Sequence, residues 1–340
     1  MENKIAISVV IPVYNASKFI KDTLDSVCAQ TLTNIEIICM NDCSTDNSLE
    51  ILNSYAERDS RIHVYSNQVN SGCAISRKNV FPYIKGKYIA FIESDDIIDN
   101  DYLFKLYEKI KKDDYDIVCS NVKFHALNGK TEICDFPTIY NDGSVDMLKV
   151  MTKYLISVIK TDKLHRVMLY GVWAKIYKTE FIIEKQITPI SEREVSSEDF
   201  LFNLQAFLKA NKVAYVSDTY YNYKVVAGSL SKSYYLRSFD IRSKSLLMAE
   251  EMINNSNVLY KNDLLERLYY RTWIVFVYSS SNELQRNPSG LIAALKQIKE
   301  NACTPLLREA LGKVKLRNVA VSGWYRVYMF ILYVYVKCFC

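Results

Sequence analysis

Apolar residues arrive along the first third of this chain in short, nearly unbroken runs. Residues 5–12 (IAISVVIP), Ile35–Asn41, Ile62–Ser66, 88–92 (YIAFI) and 117–120 (IVCS) are β-prone, and several hold almost no polar position. A strand covered on both faces needs such a run, whereas a half-exposed strand alternates. Between the runs, Ile20, Leu24, Val27 and Cys28 repeat at helical spacing, as do Leu103, Leu106, Tyr107 and Ile110. This alternation predicts an α/β domain with a mostly parallel central sheet. Ligands of such sheets bind beyond the carboxyl ends of the strands. The first, second and fourth runs end in Tyr14–Asn15, Asn41–Asp42 and Glu93–Asp96, so three polar clusters are expected on one edge.

Residues 128–144 turn polar and contain two glycines, which predicts a loop or irregular excursion. In "EDFLFNLQAFLKAN", Phe200, Leu204, Phe207 and Leu208 form a helical stripe with Glu198 and Asp199 in the first turn, where the helix dipole favours acids. Beyond Ser238 the pattern is helical to the end, broken at Pro288 to Gly290 and at Pro305. A boundary near Tyr235 is expected, dividing residues 1–235 from a helical region, 236–340. No internal repeat or low-complexity tract interrupts either part.

With 340 residues, 49% of them hydrophobic and 24% charged, the chain has material for a large core and exceeds the usual single-domain size. The +5 net charge comes without a basic block interleaved with aromatics, which argues against nucleic acid as a partner. The nine cysteines include no CxxC pair and lie mostly in apolar runs, as reduced thiols of a cytoplasmic protein would. The first apolar run meets Pro12 and Asn15 too early for a signal peptide. At the other end, "WYRVYMFILYVYVKCFC" is apolar and aromatic but interrupted by Arg326 and shorter than the ~20 residues of a spanning helix. Two readings remain open for it. With Lys313, Lys315 and Arg317 upstream it suits an interfacial helix on anionic lipid at the inner face of a plasma membrane. Alternatively it packs on the protein's own core or on a partner chain, as in a homo-oligomer.

The residues that carry chemistry are carboxylates. GxGxxG and GxxxxGK[ST] are absent, and His63, His125 and His165 lack zinc-ligand spacing. Glu93, Asp95 and Asp96 end a buried strand, where like charges repel unless a cation or donor groups stabilise them. They would suit a hard divalent cation, or equally a solvated turn with Asp99 or Asp101 capping the next helix. Ser44, Thr45 and Asp46 are natural caps, while Asp42 precedes the turn and is set to meet a ligand. Arg77 offers a bidentate fork for phosphate or carboxylate, or a surface salt bridge.

Taken in order, "VVIPVYN", "NDCSTDNS", "NSGCAISRKN", "GKYIAFIESDD", "GVWAKIYKTEF" and "SSEDFLF" resemble the motifs of bacterial inverting family 2 glycosyltransferases, over roughly residues 5–231. The resemblance implies a Rossmann-like glycosyltransferase A fold followed by a helical C-terminal region. It implies that Pro12, Tyr14 and Asp42 flank a nucleotide base and that Asn70 and Arg77 lie near the nucleotide. Glu93 and Asp95 fall on the two acids of the family's DxD motif, the first toward the ribose and the second, with Asp96, toward Mg²⁺ or Mn²⁺. Asp199 matches the catalytic base and Glu198 its acidic neighbour; Trp173 and Lys175 fall with the substrate-binding residues. Glu93 stands for the usual Asp, Cys43 and Val80 for glycines, and Ala174 for an Asn. The implied activity is inverting transfer of a hexose from a UDP-sugar to a hydroxyl of a saccharide or lipid-linked acceptor, in bacterial surface polysaccharide or lipopolysaccharide synthesis.

Two other functions compete. A glycoside hydrolase also sets two carboxylates across a sugar, but needs no nucleotide pocket, against which Asp42 and Arg77 on one edge argue. An inactive relative of the fold would serve as a membrane-associated scaffold.

Overall fold

The computed structural model describes residues 5–134, 146–160, 162, 169–226, 238–319 and 324–339. Nine strands, β1 (Ile7–Val13), β2 (Ile35–Asn41), β3 (Ile62–Ser66), β4 (Tyr88–Phe91), β5 (Ile97–Ile98), β6 (Ile117–His125), β7 (Thr131–Cys134), β8 (Lys175–Lys178) and β9 (Val213–Lys224), form one sheet in the order β3-β2-β1-β4-β8-β6-β9-β5, with β7 on β6. Helices α1 (Ile20–Cys28), α2 (Ser48–Ala56), α3 (Cys73–Val80), α4 (Tyr102–Asp113), α5 (Met147–Ile156), α6 (Thr179–Glu184) and α7 (Glu198–Lys209) connect them. Five more, α8 (Ser238–Asn255), α9 (Lys261–Arg286), α10 (Gly290–Ala302), α11 (Pro305–Lys313) and α12 (Trp324–Phe339), make up the C-terminal region.

The unbroken apolar runs find the environment they require. Along β1, Val10 joins the core on one sheet face while Ile7, Val9 and Ile11 join the other; in β2, Ile38 and Met40 face opposite to Ile37 and Cys39. β3, β2, β1 and β4 run parallel, and β8 follows antiparallel to β4. Their register fixes the site: Val13 pairs with Asn41, and Val10 with Phe91, so the residues after all three strands emerge together.

The loop expected over 128–144 is corrected at Thr131–Cys134, which pairs antiparallel with Val122–His125, extending the sheet edge. The rest of that stretch, the boundary near Tyr235 and His165 lie outside the described residues. The core under one sheet face continues into Leu246, Ala249 and Ile253 of α8 and Leu264 and Leu268 of α9. A third cluster, around Trp273, Phe276 and Leu307, buries Met329, Leu332 and Val336 of α12. One face of α12 therefore packs on the protein's own core. Among the described residues no helix is long and apolar enough to cross a membrane.

Candidate active site

The carboxyl edge of the parallel strands gathers the acids expected there. Asp42 follows β2, hydrogen-bonded through its N–H to the Val13 carbonyl. Its buried carboxylate accepts from Asn67 Nδ2 (2.7 Å), Ser71 N (2.7 Å) and Gly72 N (2.8 Å). Its oxygens thus shape the 67–72 loop, a role the sequence reading did not foresee. Capping falls to Asp46, which accepts from Ser48 N and Ser17 N and is held down to about 2 by these bonds, against the upward push of burial. Pro12 is buried within β1, whereas Tyr14 stands half-exposed at the rim.

Arg77 does not form a surface salt bridge. Projecting from α3, its side chain is 4% exposed; Nη1 donates to Asp199 Oδ1 at 2.8 Å and Nη2 pairs with Glu93 Oε1. One guanidinium so joins the acid after β4 to the acid at the start of α7. Asp199 Oδ2 faces the Val172 N–H at 3.4 Å. Glu198, its neighbour, is pushed up to about 7, chiefly by burial and then by the charge of Asp199. Burial also raises Glu93, partly offset by Arg77. Arg77, Val172, Glu198, Asp199 and Phe202 line a small cavity between these groups.

Asn70 donates to the Asp42 carbonyl (3.3 Å), and its own carbonyl accepts from Arg193 Nη2 (2.6 Å). Beside it, the Glu192 carboxylate accepts from Cys73 N and Ala74 N at the start of α3. Gly72, at φ +89°, makes room: a Cβ there would collide with the Glu192 carboxylate. Neither Glu192 nor Arg193 was singled out from the sequence, because "SEREVSSED" reads as an ordinary charged turn. Asn203 was missed as well; its amide donates to the Tyr170, Gly171 and Asp199 carbonyls. A polar residue inside the stripe of α7 was the available signal.

Asp95 and Asp96 part company. Asp96 is fully buried, with Oδ2 accepting from Tyr221 Oη and Oδ1 from Lys224 N, both at 2.8 Å. Both oxygens thus hold β9. Asp95 makes no side-chain hydrogen bond or ion pair with the other described residues, and burial raises its pKa, partly offset by the charge of Lys224. Among the described residues, no three His, Cys, Asp or Glu side chains come close enough to cage a metal. Mg²⁺ and Mn²⁺ sites that share substrate phosphates need only one or two carboxylates, and Asp95 fits such an ion.

Trp173 and Lys175, expected at the substrate, lie in the interior. Trp173 is 4% exposed and stacks on Tyr221 and Tyr223 at 5.1 and 5.2 Å, behind Asp96. Lys175 is buried; its Nζ donates to the Gly171 carbonyl at 2.6 Å, and desolvation lowers its pKa. Both support the turn that carries Val172, which includes Ala174 at φ +56°.

Comparison with known proteins bears on this arrangement. Residues 8–133 match the model of Glycosyl transferase family 2. The chain is 30% identical to a cholesterol galactosyltransferase of Borreliella burgdorferi, over 79% of this chain and 75% of that one. It is 32% identical to the glycosyltransferase GlyA of Streptococcus pneumoniae over 66% of its own length, but spans only 31% of GlyA. In structure it is similar to residues 1–349 of TarS from Staphylococcus aureus, solved with UDP-GlcNAc, at a TM-score of 0.69, 22% identity, and coverage of 98% of this chain and 90% of that one.

Proposed function

The chain belongs to glycosyl transferase family 2 and has its glycosyltransferase A-like fold, and from that premise we propose inverting transfer of a hexose from a UDP-sugar to an acceptor hydroxyl. The observation that carries this reading is the link from Glu93 through Arg77 to Asp199 at the carboxyl edge of the sheet. It fixes the proposed base against the acids of the donor side. The TarS complex with UDP-GlcNAc supports a UDP donor.

In this reading Asp199 takes the proton of the acceptor hydroxyl as that oxygen attacks the anomeric carbon. The bond from that carbon to the UDP oxygen breaks on the opposite face, and one displacement inverts the configuration. Arg77 orients Asp199 through the contact of Nη1 with Oδ1. Tyr14 and the 67–72 loop shaped by Asp42 bound the nucleotide. Glu93 and Asp199 share Arg77, and Asp95 acts on Glu93 as a further acid, so a diphosphate entering here meets carboxylates. Asp95 would hold a Mg²⁺ or Mn²⁺ ion, which when bound neutralises the charge developing on the diphosphate. The acceptor is read as a saccharide or lipid-linked saccharide of the bacterial surface, and the exposed face of α12 supports a peripheral membrane contact.

Purified protein incubated with a panel of nucleotide sugars and Mn²⁺ is expected to release UDP from a UDP-sugar. Asp199→Asn keeps shape and hydrogen-bonding reach but cannot take the proton, so transfer should fall by about 10²–10⁴-fold with donor affinity retained. A protein that releases no nucleotide from any donor would support the scaffold reading. Hydrolysis of glycosides without nucleotide release would support the hydrolase.

A further inference from the structure

α3 starts without a cap of its own. Its N-cap is Gly72, which has no side chain to accept from the first N–H groups, and the first bond of the helix runs from Ser76 N to the Gly72 carbonyl. Two carboxylates from distant parts of the chain instead take four consecutive N–H groups. Asp42 takes Ser71 N and Gly72 N, at 2.7 and 2.8 Å, and Glu192 takes Cys73 N and Ala74 N, at 2.5 and 3.2 Å. Glu192 thereby sits at the positive end of the helix dipole, where an acid is favoured.

The segment that delivers Glu192 also carries Asp199, seven residues on. It is firmly anchored: Ile187 and Val195 are buried in the core that holds Phe200 and Leu204, and the Ser191 carbonyl accepts from Glu194 N and Val195 N. Arg193 adds a tie, donating to the backbone and side-chain oxygens of Asn70 at 2.6 and 2.5 Å. Pro189 of this segment and Ala74 of α3 line the small cavity beside Asp199. The first turn of α3 is therefore gripped twice by one segment, at Cys73 and Ala74 by Glu192 and one turn later at Arg77 by Asp199. Arg77 Nε makes no hydrogen bond with the described residues. The aim of its fork between Glu93 and Asp199 is then set by where the backbone of α3 lies.

We infer that Glu192 is a positioning residue for the transfer: by capping α3 from outside, it holds Arg77 in the geometry that orients Asp199. The inference rests on the proposed role of Asp199 as base. Gly72 completes the device, because a side chain there would take the space of the Glu192 carboxylate.

Two measurements on the full chain test this, one of them without turnover. In hydrogen exchange read residue by residue by NMR, Glu192→Ala should speed exchange of the Cys73 and Ala74 amides about tenfold or more, as loss of a charge-assisted bond does. The Ser71 and Gly72 amides, held by Asp42, should keep their protection. In UDP release from a UDP-sugar with Mn²⁺, kcat should fall about 10- to 100-fold while KM and UDP affinity stay at wild-type values, since a misaimed group costs rate and not binding. Glu192→Gln keeps one accepting oxygen and should recover part of both losses; it carries the same test if Glu192→Ala does not fold. Gly72→Ala should lower kcat in the wild type yet add little to the loss in Glu192→Ala, because both changes remove the same contact. Unaltered exchange at Cys73 and Ala74, or an unaltered kcat, would overturn the inference. So would a loss of UDP affinity or a rise in KM that accounts for the lost rate, since Glu192 would then serve the donor. Absence of UDP release by the wild type would count against the transferase reading, and the clamp on α3 would then be decided by exchange alone.

Discussion

Glu198 sits one residue before the proposed base, and its ionisation carries a pH signature. In the fold it titrates near 7 rather than at 4.5, through burial first and the charge of Asp199 second. The folded state therefore favours the protonated form: that stabilisation is fully present below pH 4.5 and is lost as the pH rises through about 7. Glu198→Gln should match the wild type near pH 4 and exceed it above about pH 7 by roughly 1–3 kcal/mol, read by denaturant unfolding at both pH values. An equal difference at both would remove the buried charge as its cause. The acids themselves were legible in the sequence, since polar residues ending apolar strands stand out. What each acid touches was not. Asp42, Asp96 and Lys175 all look like ligand groups in the sequence, yet their partners lie 25 or more residues away or on a backbone carbonyl: Asn67 for Asp42, Tyr221 for Asp96, Gly171 for Lys175.

At the scale of elements, β1, β2, β4 and the start of β6 were readable because burial on both faces leaves a run with no polar alternation, while the partly exposed β3 stood out by its β-prone residues. β7 and β8 were not, being four residues each, with Thr, Glu or Lys at their ends. β9 hid for another reason: Ser217 and Asp218 interrupt it, where its pairing with β6 shifts register between Ser120 and Asn121. α12 was readable as a helix, but its packing was left open, and it has two faces. Met329, Leu332 and Val336 are buried, while Val327, Phe330, Ile331 and Val334 are exposed at helical spacing. Leu332→Ala should cost about 2–4 kcal/mol by leaving a cavity, whereas Phe330→Glu should leave the melting temperature unchanged. If the exposed face rests on lipid, Phe330→Glu should also release the protein from phosphatidylglycerol vesicles in a sedimentation assay. A wild type that never sediments would leave α12 as a packing helix only.

Across the whole molecule, charge and core are distributed unevenly. Lys313, Lys315, Arg317, Arg326 and Lys337 with no acid among residues 312–340 account for all of the +5 net charge, so the remainder is neutral overall. The C-terminal helices nevertheless share a core with the sheet, through Leu246 and Leu264 beside Phe200 and Leu204. The region that carries the basic tail thus also buttresses the helix that carries Asp199. Transfer chemistry by direct displacement is the central claim for this assembly, and the stereochemistry of donor hydrolysis tests it without an acceptor. Proton NMR taken within the first minutes, before the free sugar equilibrates, should show the β anomer appearing from an α-linked UDP-sugar in step with UDP. Release of the α anomer would contradict a single inverting displacement assisted by Asp199.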